Sequence, residues 1–209
     1  MIETAGFVTA GGLSSRMAKD KAWLDIGGQS MIERVIAALT SVSTNVSIIA
    51  NDPDYSRLGL PVFADMLKGI GPLEAIRTAL TNTDLSQILL VACDLPFVTP
   101  ELFRYLVRVE GNHQIVVPVG PDEQLEPLCA IYCKAVLPIV EELIERGERK
   151  VRRLFAKATT RFVAFNELQH LPGSELFFEN VNTPGDYSRA QEKLQWLTKC
   201  GEVTGRPQR

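Results

Sequence analysis

The stretch GFVTAGGLSSRMAKDKAWLDIGGQSMIERVIAALT, residues 6–40, decides the fold class of this chain. It opens with a short apolar run, GFVTA, that is typical of a buried strand. It closes with SMIERVIAALT, which predicts a helix that begins at Ser30 and carries Glu33 as the second half of a capping box. A glycine-rich, cationic segment joins the two. The stretch therefore predicts a strand–loop–helix unit at the start of an α/β domain.

The same alternation continues along the chain. Strands are predicted at VSIIA (46–50), LPVFAD (60–65), QILLVACD (87–94), QIVVPV (114–119), PLCAIYC (127–133) and TRFVAF (160–165). Helices are predicted at GPLEAIRTAL (71–80), TPELFRYLVRV (99–109), VLPIVEELIERG (136–147) and TPGDYSRAQEKLQWL (183–197). This order predicts a three-layer α/β/α sandwich, Rossmann-like, with a mostly parallel sheet that is covered on both faces. Residues 116–132 leave open an antiparallel excursion.

Size and charge narrow the class of protein. The chain has 209 residues, which predicts one domain over residues 1–200 and a flexible tail over 201–209. Its formal net charge of −3 argues against a nucleic-acid partner. We find no signal-peptide pattern and no apolar run long enough to span a bilayer, so we expect a cytoplasmic protein without a membrane partner.

Cysteine and histidine usage argues against two kinds of site. The chain contains Cys93, Cys129, Cys133, Cys200, His113 and His170, and none of the cysteines forms a CxxC pair. A zinc site and a nucleophile activated by histidine are therefore poorly supported. We expect buried, reduced thiols instead.

The glycine-rich segment has the composition of a polyphosphate-binding loop. Gly11 and Gly12 allow a sharp turn that brings backbone amides close to a ligand. Arg16 and Lys21 add positive charge, whereas Lys19 is interpreted as a solvated cation. The segment is not a P-loop, because Met17 stands where that motif requires glycine. Taken alone, such a glycine-rich turn is weak evidence for a ligand site, and a structural strand–helix connection is the favoured interpretation.

Polar residues follow the predicted strands, and this favours a ligand site. Asn51, Asp65 and Asp94 stand at or just after the ends of three of them. In open α/β sheets, ligands bind at the carboxyl ends of the strands, so these side chains and the glycine-rich loop should meet at one edge. Asp94 follows the most apolar strand, and Mg²⁺ binds to one or two carboxylates together with substrate phosphates.

Several blocks in order along the chain resemble one enzyme family. TAGGLSSRMAKDKAWLDIGGQSMIERV is similar to the signature of the nucleotidyltransferases that mature the molybdenum cofactor, and specifically of the MobA-type guanylyltransferases. ADMLKGIGPLEAIRTAL, VACDLPFVTPELF, EPLCAIYCKAVLP, LIERGERKVRRLF and FFENVNTPGDY resemble later blocks. The resemblance covers almost the whole chain. Thr9, Ala18 and Ala75 depart from the family pattern, where an aliphatic residue and two glycines are usual.

The resemblance implies a nucleotidyltransferase fold and a Mg²⁺-dependent transfer of GMP from GTP to the terminal phosphate of the molybdenum–molybdopterin cofactor. It also implies a role for each matching residue. Arg16 and Lys21 are the catalytic cations, and Mg²⁺ is held by Asp94 and Asn182. The nucleotide-binding residues are Thr9, Ala10, Gly11, Gly12, Lys21, Asn51, Asp65 and Asp94.

Partners and alternatives follow from the same resemblance. GTP and the molybdopterin cofactor are the implied substrates, and contacts with other cofactor-biosynthesis proteins or target molybdoenzymes are implied as well. The basic run from Arg146 to Arg153 is interpreted either as a landing surface for the pterin phosphate or as a solvated helix junction. A cytidylyl- or sugar-phosphate nucleotidyltransferase and a non-catalytic nucleotide-binding module remain as alternatives.

Overall fold

A computed structural model describes residues 4–11, 20–65 and 71–200. Its strands form one sheet in the order β3-β2-β1-β4-β6-β5-β7. Their bounds are β1 Thr4–Thr9, β2 Val46–Ile49, β3 Val62–Phe63, β4 Gln87–Ala92, β5 Ile115–Pro118, β6 Cys129–Cys133 and β7 Thr160–Val163.

The sheet is parallel except for one strand. β6 lies between β4 and β5 and runs antiparallel to both. This confirms the mostly parallel sheet and identifies the antiparallel excursion. In the register of β1, Thr9 lies opposite Ile49 of β2 and Ala92 of β4. β1, β2 and β4 therefore end at the same level, and the residues that follow them share one edge.

Helices cover both faces of the sheet, as predicted. They are α1 Met31–Thr40, α2 Pro72–Thr81, α3 Pro100–Arg108, α4 Leu137–Glu145, α5 Arg152–Lys157, α6 Phe165–Leu168 and α7 Pro184–Cys200. Short 3-10 helices span Lys21–Trp23, Pro53–Leu58, Lys134–Val136 and Ser174–Leu176. Within the described residues, no helix is both long enough and apolar enough to cross a membrane.

The central strand explains why its sequence lacks alternation. All six residues of β4 are buried. Leu89 and Val91 face a cluster that includes α1 and α3, whereas Ile88 and Leu90 face a second cluster that includes α2, α4 and α5. Both faces of this strand are therefore covered by helices, which is the three-layer arrangement.

The predicted helix starts are found where the sequence placed them. The carboxylate of Glu33 accepts hydrogen bonds from the backbone amide of Ser30 at 2.8 Å and from its hydroxyl at 2.5 Å. The hydroxyl of Thr99 accepts from the amide of Leu102 at 3.4 Å at the start of α3. Such caps satisfy amides that a helix leaves without internal partners.

The two strand ends that were predicted at Asp94 and Asp65 require correction. β4 ends at Ala92 and not at Asp94, because the amide of Leu95 turns back to donate to the carbonyl of Ala92. β3 ends at Phe63 and not at Asp65, because its partner β2 ends at Ile49, which pairs with Phe63. Both aspartates therefore lie in loops just beyond the sheet.

The different burial of two phenylalanines predicts that their substitution by alanine lowers the free energy of unfolding by different amounts. Phe103 of α3 is fully buried, whereas Phe162 of β7 is 45% exposed. We expect Phe103→Ala to lower the free energy of unfolding by about 3–5 kcal/mol. Phe162→Ala should lower it by roughly 1 kcal/mol, because only part of that side chain leaves water on folding. Urea denaturation of the two variants measures the difference, and equal losses would contradict the assigned packing.

Candidate functional site

A cleft of about 920 Å³ opens at the carboxyl ends of β1, β2 and β4. It brings together residues that are far apart in the sequence. The predicted site residues that line it are Thr9, Ala10, Gly11, Lys21, Asn51, Asp65 and Asp94. The predicted residues Gly12 and Arg16 lie outside the described residues, as does Lys19.

Lys21 is the centre of the cleft's polar contacts. Its Nζ donates to Oδ2 of Asp94 at 2.6 Å and to Oδ1 of Asn182 at 2.7 Å. The Lys21 and Asp94 side chains are 15% and 18% exposed, so their ion pair is only partly screened by water. The structure therefore joins the predicted catalytic lysine to both predicted metal ligands.

Backbone contacts hold Asp94 and Asn182 in place. The amide of Val181 donates to the carbonyl of Asp94 at 3.0 Å, which ties the C-terminal segment to the end of the central strand. The carboxylate of Asp186, in the first turn of α7, accepts from the amides of Asn182 at 3.0 Å and Thr183 at 2.8 Å. Asn182 is thus set at the start of a capped helix, with its side chain at Lys21.

The short helix Lys21–Trp23 is fixed by an aspartate that sequence reasoning did not single out. Oδ1 of Asp20 caps this helix by accepting from the amide of Ala22 at 3.1 Å. Oδ2 of Asp20 accepts from the hydroxyl of Tyr55 at 2.5 Å. Burial, reinforced by the Asp20 carboxylate, raises the pKa of Tyr55, so its hydroxyl stays a proton donor.

Aromatic packing reinforces this contact. The rings of Trp23 and Tyr55 stack with centroids 5.0 Å apart and an interplanar angle of 24°. The guanidinium of Arg57 lies 3.6 Å from the centre of the Trp23 ring, a cation–π geometry. No pattern in the sequence indicated that residues 53–58 would pack against the loop after β1.

The other wall of the cleft carries hydrogen-bonding groups and a helix N-terminus. Asp65 accepts from the hydroxyl of Thr78 at 3.1 Å, and burial raises the pKa of Asp65. Gly71 lines the cleft and precedes α2. Its φ of +79° is a backbone conformation that favours glycine. α2 begins at this wall, where Gly71 and Pro72 line the cleft, and the positive end of its helix dipole favours an anionic ligand.

Sequence reasoning also missed Glu126. This half-buried residue stands in the connection between β5 and β6, two residues before Leu128 of the cleft wall. Burial, followed by the charges of Asp122 and Asp94, raises the pKa of Glu126 to about 7. In the sequence, only its place in the EPLCAIY block distinguishes Glu126 from other glutamates.

The thiol expectation is met where side chains are described. Cys93 and Cys129 are buried and free, and Cys133 is free and partly buried. Burial raises the pKa of all three, so their thiols stay protonated and unreactive. The Cys200 side chain lies outside the described residues.

The basic run forms the turn between α4 and α5. Lys157 pairs with Glu142 at 2.9 Å across this helical hairpin. α4 follows the antiparallel strand β6 and α5 precedes β7, so the turn points to the edge of the sheet that holds the cleft. Arg146 and Arg153 are exposed and pair with Glu142 and Glu148, respectively.

The oxygen donors at Lys21 match the chemistry of a hard divalent cation. Asp94 supplies a carboxylate and Asn182 an amide carbonyl, and both already converge on one positive charge, the Lys21 ammonium. In the described part of the chain, no group of three or more His, Cys, Asp or Glu side chains could hold a metal. A Mg²⁺ ion bound to Asp94 and Asn182 would complete its shell with phosphate oxygens and water.

Comparison with known proteins finds relatives that match most of the chain. A protein from Pelotomaculum thermopropionicum named "Probable molybdenum cofactor guanylyltransferase" is 36% identical over 192 residues, which are 91% of this chain and 93% of that protein. One of the same name from Carboxydothermus hydrogenoformans is 33% identical over 87% of this chain and 92% of its own length.

A solved structure gives the same result. The crystal structure of molybdopterin-guanine dinucleotide biosynthesis protein A from Archaeoglobus fulgidus superposes with a TM-score of 0.79 at 25% identity, covering 92% of this chain and 100% of that one. The family description "MobA-like NTP transferase domain" matches residues 6–162. The chain therefore belongs to the MobA-like NTP transferase family.

Proposed function

We propose that this protein transfers GMP from GTP to the terminal phosphate of the molybdenum–molybdopterin cofactor and releases pyrophosphate. The observation that carries the proposal is the cleft in which Lys21 meets Asp94 and Asn182, in a chain of this family. The choice of base and acceptor is supported by relatives at 33–36% identity that carry the guanylyltransferase name.

The reaction needs little covalent chemistry from the protein. An oxygen of the acceptor phosphate attacks the α-phosphorus of GTP and forms a new P–O–P linkage. The bond between the α-phosphorus and its bridging oxygen breaks, and pyrophosphate leaves with the electron pair. A phosphate nucleophile is already ionised at neutral pH, so positioning and charge stabilisation account for most of the rate.

In this proposal different residues of the cleft bind different parts of the nucleotide. The backbone from Thr9 to Gly11 binds the nucleotide, and Lys21 stabilises charge on the phosphates, helped by Arg16. Asn51 and Asp65 contact the nucleoside. The Gly71 end of α2 adds the positive end of a helix dipole, which favours an anion.

The metal of the proposal is Mg²⁺, held by Asp94 and Asn182. When bound, it would neutralise phosphate charge and orient the triphosphate. Lys21 contacts both of these side chains, so a metal held by them would have to share them with the Lys21 ammonium or replace it. The acidic and cationic residues thereby act on the same phosphate group.

The acceptor is proposed to bind on the side of the cleft lined by Leu128, toward the α4–α5 turn. Arg149, Lys150 and Arg152 are exposed there and suit an anionic pterin phosphate. The same surface is available to proteins that deliver or receive the cofactor.

Base choice gives the first test of this proposal. GTP with Mg²⁺ should raise the melting temperature more than CTP, ATP or UTP do, because a bound ligand stabilises the folded state by mass action. Differential scanning fluorimetry measures the shifts. Equal stabilisation by CTP would favour the cytidylyl alternative.

The metal ligand gives a second test. Asp94→Ala should leave the fold intact, because the contact with the Val181 amide uses the Asp94 backbone carbonyl. Turnover with Mg²⁺ should fall at least about 10²-fold, on the scale of a lost charge-stabilising group. Pyrophosphate release measures turnover and circular dichroism checks the fold. Near-normal activity would exclude Asp94 as the principal ligand, and no release from the unmutated protein would favour a non-catalytic nucleotide-binding module.

A pair of lysine variants tests the catalytic cation. Lys21→Ala should lower turnover by about 10²–10³-fold, because a preorganised charge at the phosphates is lost. Lys19→Ala removes the same charge two residues earlier and should cost much less, since a solvated cation is screened. Steady-state pyrophosphate release with GTP and the molybdopterin cofactor compares them. Equal losses would assign the effect to general loop charge.

A further inference from the structure

The residues before and after Lys21 in the sequence are held in place by contacts with the rest of the protein. Asp20 before it caps the short helix, and Ala22 after it is fully buried. Trp23 is covered by Tyr55 on one face and approached by Arg57. The neighbours of Lys21 are thus immobilised, and the lysine side chain is left to reach into the cleft.

The helix that immobilises them starts at the cleft itself. Asp52 and Pro53 line the cleft, and Asp52 caps the Pro53–Leu58 helix. Tyr55, one turn further on, is fully buried and donates to Asp20. A ligand that contacts the loop after β2 therefore touches the same short helix that sets the position of Lys21.

The hydrogen bond between Tyr55 and Asp20 pairs a buried hydroxyl donor with a carboxylate acceptor. A buried hydroxyl needs an acceptor, and an ionised carboxylate only accepts. Both Asp20 oxygens are engaged, one by the cap and one by Tyr55. Removal of the Tyr55 hydroxyl would leave Asp20 with the cap contact alone and would weaken the attachment of the Lys21–Trp23 helix to residues 53–58.

We infer that Tyr55 and Asp20 are positioning residues that set the Lys21 ammonium for the phosphates and couple the loop after β2 to that cation. This inference rests on the proposed function. It assigns to Tyr55 a role in the reaction although its side chain is buried away from the cleft surface.

A double-mutant cycle tests it, using Tyr55→Phe, Lys21→Ala and the double variant. Tyr55→Phe keeps the ring that stacks on Trp23. GTP affinity is measured by isothermal titration calorimetry and turnover by pyrophosphate release, and the titrations are repeated with CTP. We expect Tyr55→Phe to lower kcat/KM about tenfold, the scale of a lost hydrogen bond to a charged group. In the Lys21→Ala background the same change should cost less than about twofold.

Tyr132→Phe serves as the matched control. Tyr132 is also fully buried, and its hydroxyl donates to the carbonyl of Pro127 at 2.7 Å. This variant should lose comparable thermal stability and keep wild-type nucleotide affinity and turnover. A loss of activity in both tyrosine variants would indicate a general effect of buried hydroxyls and would overturn the assignment.

The remaining outcomes separate the two proposals. If Tyr55→Phe lowers affinity or turnover equally with and without Lys21, or changes neither, the positioning role is wrong. If the unmutated protein binds a nucleotide but transfers nothing, the proposed function fails. The coupling between Tyr55 and Lys21 is still measured in that case, through nucleotide affinity alone.

Discussion

One ammonium group, shared between a carboxylate and an amide, is the contact on which the rest of the site depends. Lys21 meets Asp94, 73 residues away, and Asn182, 161 residues away. The loop after the first strand, the end of the central strand and the start of the last helix are joined at this point. Strand register, helix caps and the return of the C-terminal segment all have to be correct for the three side chains to meet.

The electrostatics of the cleft make this contact more important. Lys21 lines it together with four carboxylates, those of Asp20, Asp52, Asp65 and Asp94. All four already accept a hydrogen bond within the protein. An anionic triphosphate entering such a cleft needs further positive charge, and this is the physical reason to expect a divalent cation beside Lys21.

Much of the fold could be predicted because its signals are local. Apolar runs, Thr-Pro pairs and the Ser30–Glu33 pair identified strands and helix starts that the structure contains. Parallel-sheet logic then placed Asn51, Asp65 and Asp94 at one edge. The exact strand ends were not predictable, because they depend on where a partner strand stops pairing.

The supporting contacts of the site could not be predicted for a related reason. Tyr55 donates a hydrogen bond to Asp20, which lies 35 residues earlier in the sequence. No sequence pattern at either residue predicts this contact. The 3-10 helices and α5 are too short to show a clear period. The raised pKa of Glu126 depends on burial beside Asp122 and Asp94, which exists only in the folded chain.

The position of Asn182 late in the sequence has a consequence for the synthesis of the protein on the ribosome. A chain emerging from the ribosome presents Lys21 early and Asp94 midway, but the second acceptor of the lysine arrives only after β7 and α6. The Val181 amide, which anchors this segment to the end of the central strand, arrives with it. The complete site therefore cannot form until residue 182 has been synthesised, and a nascent chain that stops short of residue 182 carries a lysine with only one of its two partners.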